Sequence, residues 1–193
     1  MKIRRSWWGA SLLLVLLGCG GQDEVEIKEQ FVSQEFNFEI SLPGDMAQNG
    51  WLIVHARDAT VTHQYVAPDS SDIERIAVVV PPAQSFPLFS PFFADVFRLR
   101  DPEMTARQLA DLRAVEAGDF LIGRQSLTVN GVAAEELIHG VANDVFYETF
   151  LAYEGLAYSI NTSGAPETST VANQFFVVLS AYRDVVQTFR FLE

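Results

Sequence analysis

The 193-residue sequence is poor in the groups that most enzymes use: one cysteine (Cys19), three histidines (His55, His63, His139), and 13 Lys+Arg against 25 Asp+Glu. A single thiol cannot close an intrachain disulfide, so the fold must rest on its core. The histidines show no paired zinc-ligand spacing. Nucleophile elbow, phosphate loop and dinucleotide glycine string are all missing. A formal net charge of −12 leaves too few cations to neutralise phosphates, which disfavours nucleic acid as a partner. No apolar run approaches the roughly 20 residues that a membrane-spanning helix needs.

What is present begins at the N-terminus. Lys2, Arg4 and Arg5 precede an apolar run from Trp7 to Leu17, which has the length of a secretory signal and not of a span. Leu16-Leu17-Gly18-Cys19 resembles the lipobox of bacterial lipoproteins. That resemblance implies diacylglycerol on the Cys19 sulfur, cleavage before Cys19 and acylation, palmitate included, of the new amino group. Several acyl chains suffice for stable anchoring. The expected organisation is a signal peptide over 1–18, a lipidated cysteine and flexible tether over 19–30, and one domain over 31–193. The signal holds three of the 13 Lys+Arg and no acid, so ten cations face 25 acids in the mature chain, a charge of −15. Such a body keeps away from anionic headgroups and leaves attachment to the lipid.

Along the domain, Phe36, Phe38, Ile40 and Leu42 alternate with polar residues and predict a strand that Pro43-Gly44 stops. Trp51 to His55, Thr60 to Val66 and Ile73 to Val80 predict three more, the last of them central. The stretch 81–102, PPAQSFPLFSPFFADVFRLRDP, has too many prolines for a central strand and too many phenylalanines for a solvated loop. Asp101-Pro102 reads as the start of a helix ending near Gly118. Asn130-Gly131 is a strong type I′ hairpin signal. Further hairpins at Asn143-Asp144 and Glu154-Gly155 give a four-strand meander between 120 and 162. Val171, Phe175, Val178, Tyr182, Val185 and Phe189 lie on one face of a long helix, breaking near Thr188 so that Phe189-Arg190-Phe191 ends as a strand. These elements predict an α+β domain on an antiparallel sheet of about six to eight strands flanked by helices.

The succession of Phe36-Asn37-Phe38, Leu42-Pro43, Trp51, the hairpin opened by Asn130-Gly131-Val132-Ala133-Ala134-Glu135, then Phe150, Gly155, Tyr158 and a terminal Thr188-Phe189-Arg190-Phe191 is similar to the PsbP-like superfamily. Its members include the PsbP proteins of photosystem II and bacterial lipoproteins such as DcrB. The resemblance covers roughly 31–192 and implies an α/β/α sandwich, no enzymatic activity as a rule, and a role in assembling or supporting envelope complexes. It transfers no functional residue.

Candidate chemistry is sparse. His55 and His63 could meet across a hairpin with Asp58, a set that zinc accepts, but the spacing matches no strong signature and no metal or cofactor is expected. His63 reads as a half-buried, hydrogen-bonded residue. Asp144 with Glu148, or Glu135 with Glu136, can be drawn as acid–base pairs, yet that work needs a cleft that shifts their pKa values. They read as surface carboxylates beside turns. Asn161-Thr162-Ser163 reads as turn chemistry.

Phe86, Phe89, Phe92 and Phe93 are either an exposed contact patch for a partner or an irregular lid over the sheet. The expected function is a lipid-anchored, non-catalytic binding or assembly module of the cell envelope, on the periplasmic or extracytoplasmic face, the outer membrane included. Its expected partners are the membrane, through the N-terminal lipid, and an envelope protein. The alternatives are a carrier or sensor of a small apolar ligand held under the Phe-rich segment, and an envelope hydrolase.

Overall fold

The computed structural model describes residues 27–48, 51–56, 74–79, 92–141, 144–164 and 182–192. Its strands are β1 (Ile27–Lys28), β2 (Gln30–Ser33), β3 (Phe38–Ser41), β4 (Leu52–Ala56), β5 (Glu74–Val79), β6 (Phe92–Arg98), β7 (Leu121–Val129), β8 (Val132–Val141), β9 (Asp144–Tyr153), β10 (Leu156–Gly164) and β11 (Arg190–Phe191). Two helices, α1 (Gly44–Gln48) and α2 (Ala106–Ala117), lie between them, and residues 182–186 are helical before β11. Eight strands form one sheet in the order β1-β4-β5-β6-β10-β9-β8-β7, and β11-β3-β2 form a second of three. Every pairing is antiparallel, so the α+β class expected from the alternating runs holds.

The meander β7–β10 carries the sheet, and its turns have local causes. Asn130 and Gly131 take φ of 46° and 87°, the left-handed pair that a two-residue I′ turn demands. Glu154 and Gly155, at 49° and 77°, repeat that chemistry, and a Cβ on Gly155 would lie 3.2 Å from Pro102 Cβ. Val141 pairs with Asp144 across the third hairpin.

The period of two sorts β6, β8, β9 and β10 into two faces. On one face Phe92, Val96, Ala134, Tyr147, Leu151, Tyr158 and Ile160 meet the second sheet and the 182–186 helix. Phe38 stacks on Phe189 at 5.1 Å and 8°, and Tyr158 sets its edge against both rings. On the other face Phe97, Leu137, Phe150 and Ala157 receive Ala106, Leu109 and Ala110 of α2. The main sheet is therefore covered on both faces.

Four expectations need correction. The strand expected from Phe36 begins at Phe38, because residues 34–37 turn: Asn37 sits at φ 55° and Ser33 Oγ accepts from the Phe36 amide at 3.2 Å. Residues 27–28 and 30 of the segment expected to be flexible lie in strands β1 and β2. The helix starts at Ala106 and not at Pro102, because Thr105 and Gln108 form a reciprocal capping box while Asp101 accepts from the Glu103 amide and holds a turn. Finally, part of 81–102 is a strand, and a central one: β6 lies between β5 and β10. Pro102 stands beyond the end of this strand, where it costs no ladder bond. The strand expected over Thr60–Val66 and the helix from Val171 to Ser180 lie outside the described residues.

Candidate functional site

The most polar part of the interior lies between α2 and the sheet. β8 turns Glu135, Leu137 and His139 toward the helix, and β9 turns Glu148 and Phe150 the same way. Glu135, Glu148 and His139 are 7%, 7% and 5% exposed, so these acids are not the surface carboxylates that their sequence context suggests.

Each acid is held by an arginine. Arg113 of α2 donates from Nε to Glu148 Oε2 at 2.9 Å and reaches Glu116 at 3.3 Å. Ser159 of β10 donates to Glu148 Oε1 at 3.0 Å. Arg124 of β7 donates to Glu135 Oε2 at 2.7 Å and to Asp111 Oδ1 at 2.5 Å. Its third contact is the Arg107 carbonyl at 3.2 Å, and Ser126 donates to Glu135 Oε1 at 2.6 Å. The two arginines thus pin α2 to the sheet at two points along its length.

Burial alone would raise both carboxyl pKa values, but the donors outweigh it. Glu148 falls below its usual range through the His139 imidazole beside it, the Arg113 guanidinium and the Ser159 hydroxyl. Glu135 falls through Ser126 and Arg124, and Arg124 is pushed up by Asp111 and Glu135. His139 Nε2 is 3.5 Å from Glu148 Oε2, too long for a hydrogen bond, and it is the buried side-chain nitrogen left without one among the described residues. On the opposite face Glu136, 1% exposed, accepts from Gln125 at 2.6 Å and Arg183 at 3.1 Å.

The candidate pairs fare unequally in this arrangement. Glu135 and Glu136 are consecutive in a strand and point to opposite faces, so they cannot work as a pair. Asp144 and Glu148 are separated by about 13 Å along β9. His55 lies in β4, five strand spacings or about 24 Å from β8, and so does not join His139. His63 and Asp58 lie outside the described residues. Among the described residues no three His, Cys, Asp or Glu side chains are grouped to hold a metal ion.

Cys19, Phe86 and Phe89 also lie outside the described residues. Phe92 is 1% exposed and stacks on Trp51 at 5.4 Å, while Phe93, its neighbour in β6, faces the other way and is partly buried. Phe92 and Phe93 therefore lie on opposite faces of β6. Asn161-Thr162-Ser163 belongs to β10 and not to a turn.

The arginines are what sequence pattern does not reveal. Arg113 and Arg124 look solvent-facing by pattern, and only the packing of α2 against the sheet brings out their buried partners on β9 and β8.

No family model and no curated protein matches the chain. Among solved structures it is similar to the solution structure of cyanobacterial PsbP (CyanoP) from Synechocystis sp. PCC 6803. The likeness has a TM-score of 0.51 at 15% identity and covers 91% of this chain and 99% of that one. The fold is PsbP-like. A looser likeness, to a crystal structure from Bacteroides thetaiotaomicron VPI-5482, has a TM-score of 0.39 at 10% identity over 86% of this chain and 48% of that one. The PsbP-like sheet and its covering layers account for both hydrophobic clusters, and the Arg–Glu clamps sit where α2 closes one face.

Proposed function

We propose that this chain is a lipid-anchored protein of the cell envelope. Its PsbP-like domain serves as a non-catalytic binding or assembly module on the periplasmic or extracytoplasmic face. The anchor is Cys19, at the end of the Leu16-Leu17-Gly18-Cys19 sequence, and the partners are the membrane, through its acyl chains, and an envelope protein. The observation that carries the non-catalytic reading is the state of the buried acids. Glu135 and Glu148 accept from arginine and serine, which hold their pKa values below the usual range, and they face α2. A general acid or base instead needs a pKa drawn toward the working pH and reach to a substrate.

Mass analysis of the mature N-terminal peptide tests the anchor. A peptide beginning at Cys19 and carrying diacylglycerol is expected; an unmodified N-terminus at any other residue overturns it. A Glu148→Gln chain as abundant and stable as the parent, yet unable to complement a deletion strain, would overturn the non-catalytic reading.

A further inference from the structure

The eight-stranded sheet ends at β7, nine residues long, without proline, and bonded to β8 alone among the described residues. The opposite edge, β1, has two residues. Long open edges are templates for pairing with another chain, and proteins usually shorten or cover them. The register shows which groups β7 offers. Val129 and Val132 flank the two-residue turn and so exchange both backbone bonds. Bonded and non-bonded pairs then alternate, so Leu127 and Gln125 also face β8, while Arg124, Ser126 and Thr128 turn their N–H and C=O outward. No backbone bond from another described segment satisfies these outward groups, and the edge residues Arg124, Ser126 and Thr128 are exposed.

The rim of this edge is apolar and acidic. Val115, Phe120 and Ile122, 80%, 55% and 62% exposed, are three of the four large apolar residues left open among the described residues. Val115 continues the helical stripe of Arg107 and Asp111, both of which Arg124 of β7 touches, so it overhangs the edge. Of the local cations, Arg113 serves Glu148 and Arg124 serves Glu135 and Asp111, while Arg107 on the same helical stripe is exposed. Asp119 beside Phe120 has no ion pair among the described residues. A second copy would bring a charge of −12 against −12.

We propose that β7 accepts a basic, extended segment of a partner polypeptide as a ninth strand. Its backbone pairs with Arg124, Ser126 and Thr128, its apolar side chains cover Val115 and Phe120, and its cations meet Asp119. Main-chain bonds supply the affinity in such strand addition, and alternate side chains supply the specificity. This inference rests on the reading of the domain as a binding module, but not on its anchor, so the two tests fail independently.

The probes are an alternating Lys-Val decapeptide and an alternating Glu-Val decapeptide, added to the full chain in detergent micelles while amide hydrogen exchange is followed by NMR. The Lys-Val peptide should slow exchange at Arg124, Ser126 and Thr128 about tenfold, leaving Leu127 and Val129 unchanged. Thr128→Pro removes an outward N–H at an edge position that tolerates proline and should weaken the peptide about tenfold. Asp119→Lys, far from the core, should weaken the Lys-Val peptide and strengthen the Glu-Val one. Absent protection, protection elsewhere, or equal effects of the two peptides would overturn the proposal. So would edge protection that appears without peptide and grows with protein concentration, the mark of self-pairing.

Discussion

Arg113 on α2 donates to Glu148 on β9 at 2.9 Å across 35 residues of sequence, and this bond joins the helix to the sheet. The arginine is about one-third exposed and the glutamate nearly buried, so the two do not share the cost of separation equally. Losing Arg113 leaves a buried charge beside only the Ser159 hydroxyl and the His139 imidazole, whereas losing both partners removes the problem. Arg113→Met should therefore destabilise by about 2 kcal/mol. Adding Glu148→Leu to it should recover more than half of that loss. Urea unfolding of the two single variants and the double variant checks this as a double-mutant cycle, and strictly additive losses would contradict it.

Stability should fall at both ends of the pH scale, for different groups. Glu148 and Glu135 have folded-state pKa values below the ordinary 4.5. Each adds stability above about pH 4.5 that disappears as the pH drops through its folded value. Tyr158 and Tyr182 are pushed up chiefly by burial, from an ordinary 10.0. Their contribution is complete below about pH 10 and is lost on going higher. A plateau between about pH 5 and 9 is expected in urea midpoints. Glu148→Gln should flatten the acid limb, and Tyr158→Phe the alkaline one.

The parts of this fold that local chemistry dictates are legible in the sequence itself. The Asn130-Gly131 and Glu154-Gly155 turns, the meander they join and the terminal Arg190-Phe191 strand follow from turn residues and period-two alternation. Less legible is anything set by distant neighbours. Phe92 to Arg98 lies among prolines in sequence, yet becomes central because β5 and β10 flank it. Glu135 and Glu148 pattern as solvent-facing, and their burial depends on arginines 11 and 35 residues away. The capping box at Thr105 and Gln108 is spelled out by its two residue types, but Pro102 offers a competing helix start.

Phe189 lies 5.1 Å from Phe38 in a near-parallel stack, and 5.1 Å from Tyr158 edge-on. It is 1% exposed, and it ties the second sheet and the C-terminal segment to the main sheet. Phe189→Ala opens a cavity among the Phe38, Tyr158 and Phe191 rings, a change that costs about 3–5 kcal/mol. Phe189→Leu keeps most of the volume but loses the ring contacts, and should cost about 1–2 kcal/mol. Thermal unfolding of both distinguishes packing volume from aromatic geometry; equal losses would show that only volume matters.

Tyr182 carries a smaller load by a different route. Its hydroxyl lies 2.7 Å from the Ile160 carbonyl and 2.7 Å from Thr149 Oγ1, all in the interior. Tyr182→Phe keeps the ring against Phe92 but leaves a carbonyl and a hydroxyl without their partner. The expected loss is about 1–2 kcal/mol. Thr149→Val in the same background removes one of the stranded groups and should return part of it. Denaturant midpoints with unchanged m-values are the measurement, and a double variant no better than Tyr182→Phe would refute the account.

Asn130 does two jobs. Its backbone occupies the left-handed region with φ 46°, while its side-chain amide donates to the Phe189 carbonyl at 2.6 Å and the Gln187 carbonyl at 3.0 Å. The hairpin tip therefore caps the end of the last helix, 57 residues on. Asn130→Gly keeps the turn conformation and deletes the clamp, so it isolates the second job and should cost about 1 kcal/mol. Asn130→Asp tolerates the turn as well but aims a carboxylate at two carbonyl oxygens, and it should cost more than Gly. The gap between the two should shrink as the pH falls below the aspartate's own titration. Amide exchange localises the effect: in both variants Arg190 and Phe191, paired to Glu39 and Phe38, should exchange faster, while the β7–β8 ladder keeps its protection. If the ladder loosens instead, the asparagine acts through the turn, and its contact with the helix end is incidental.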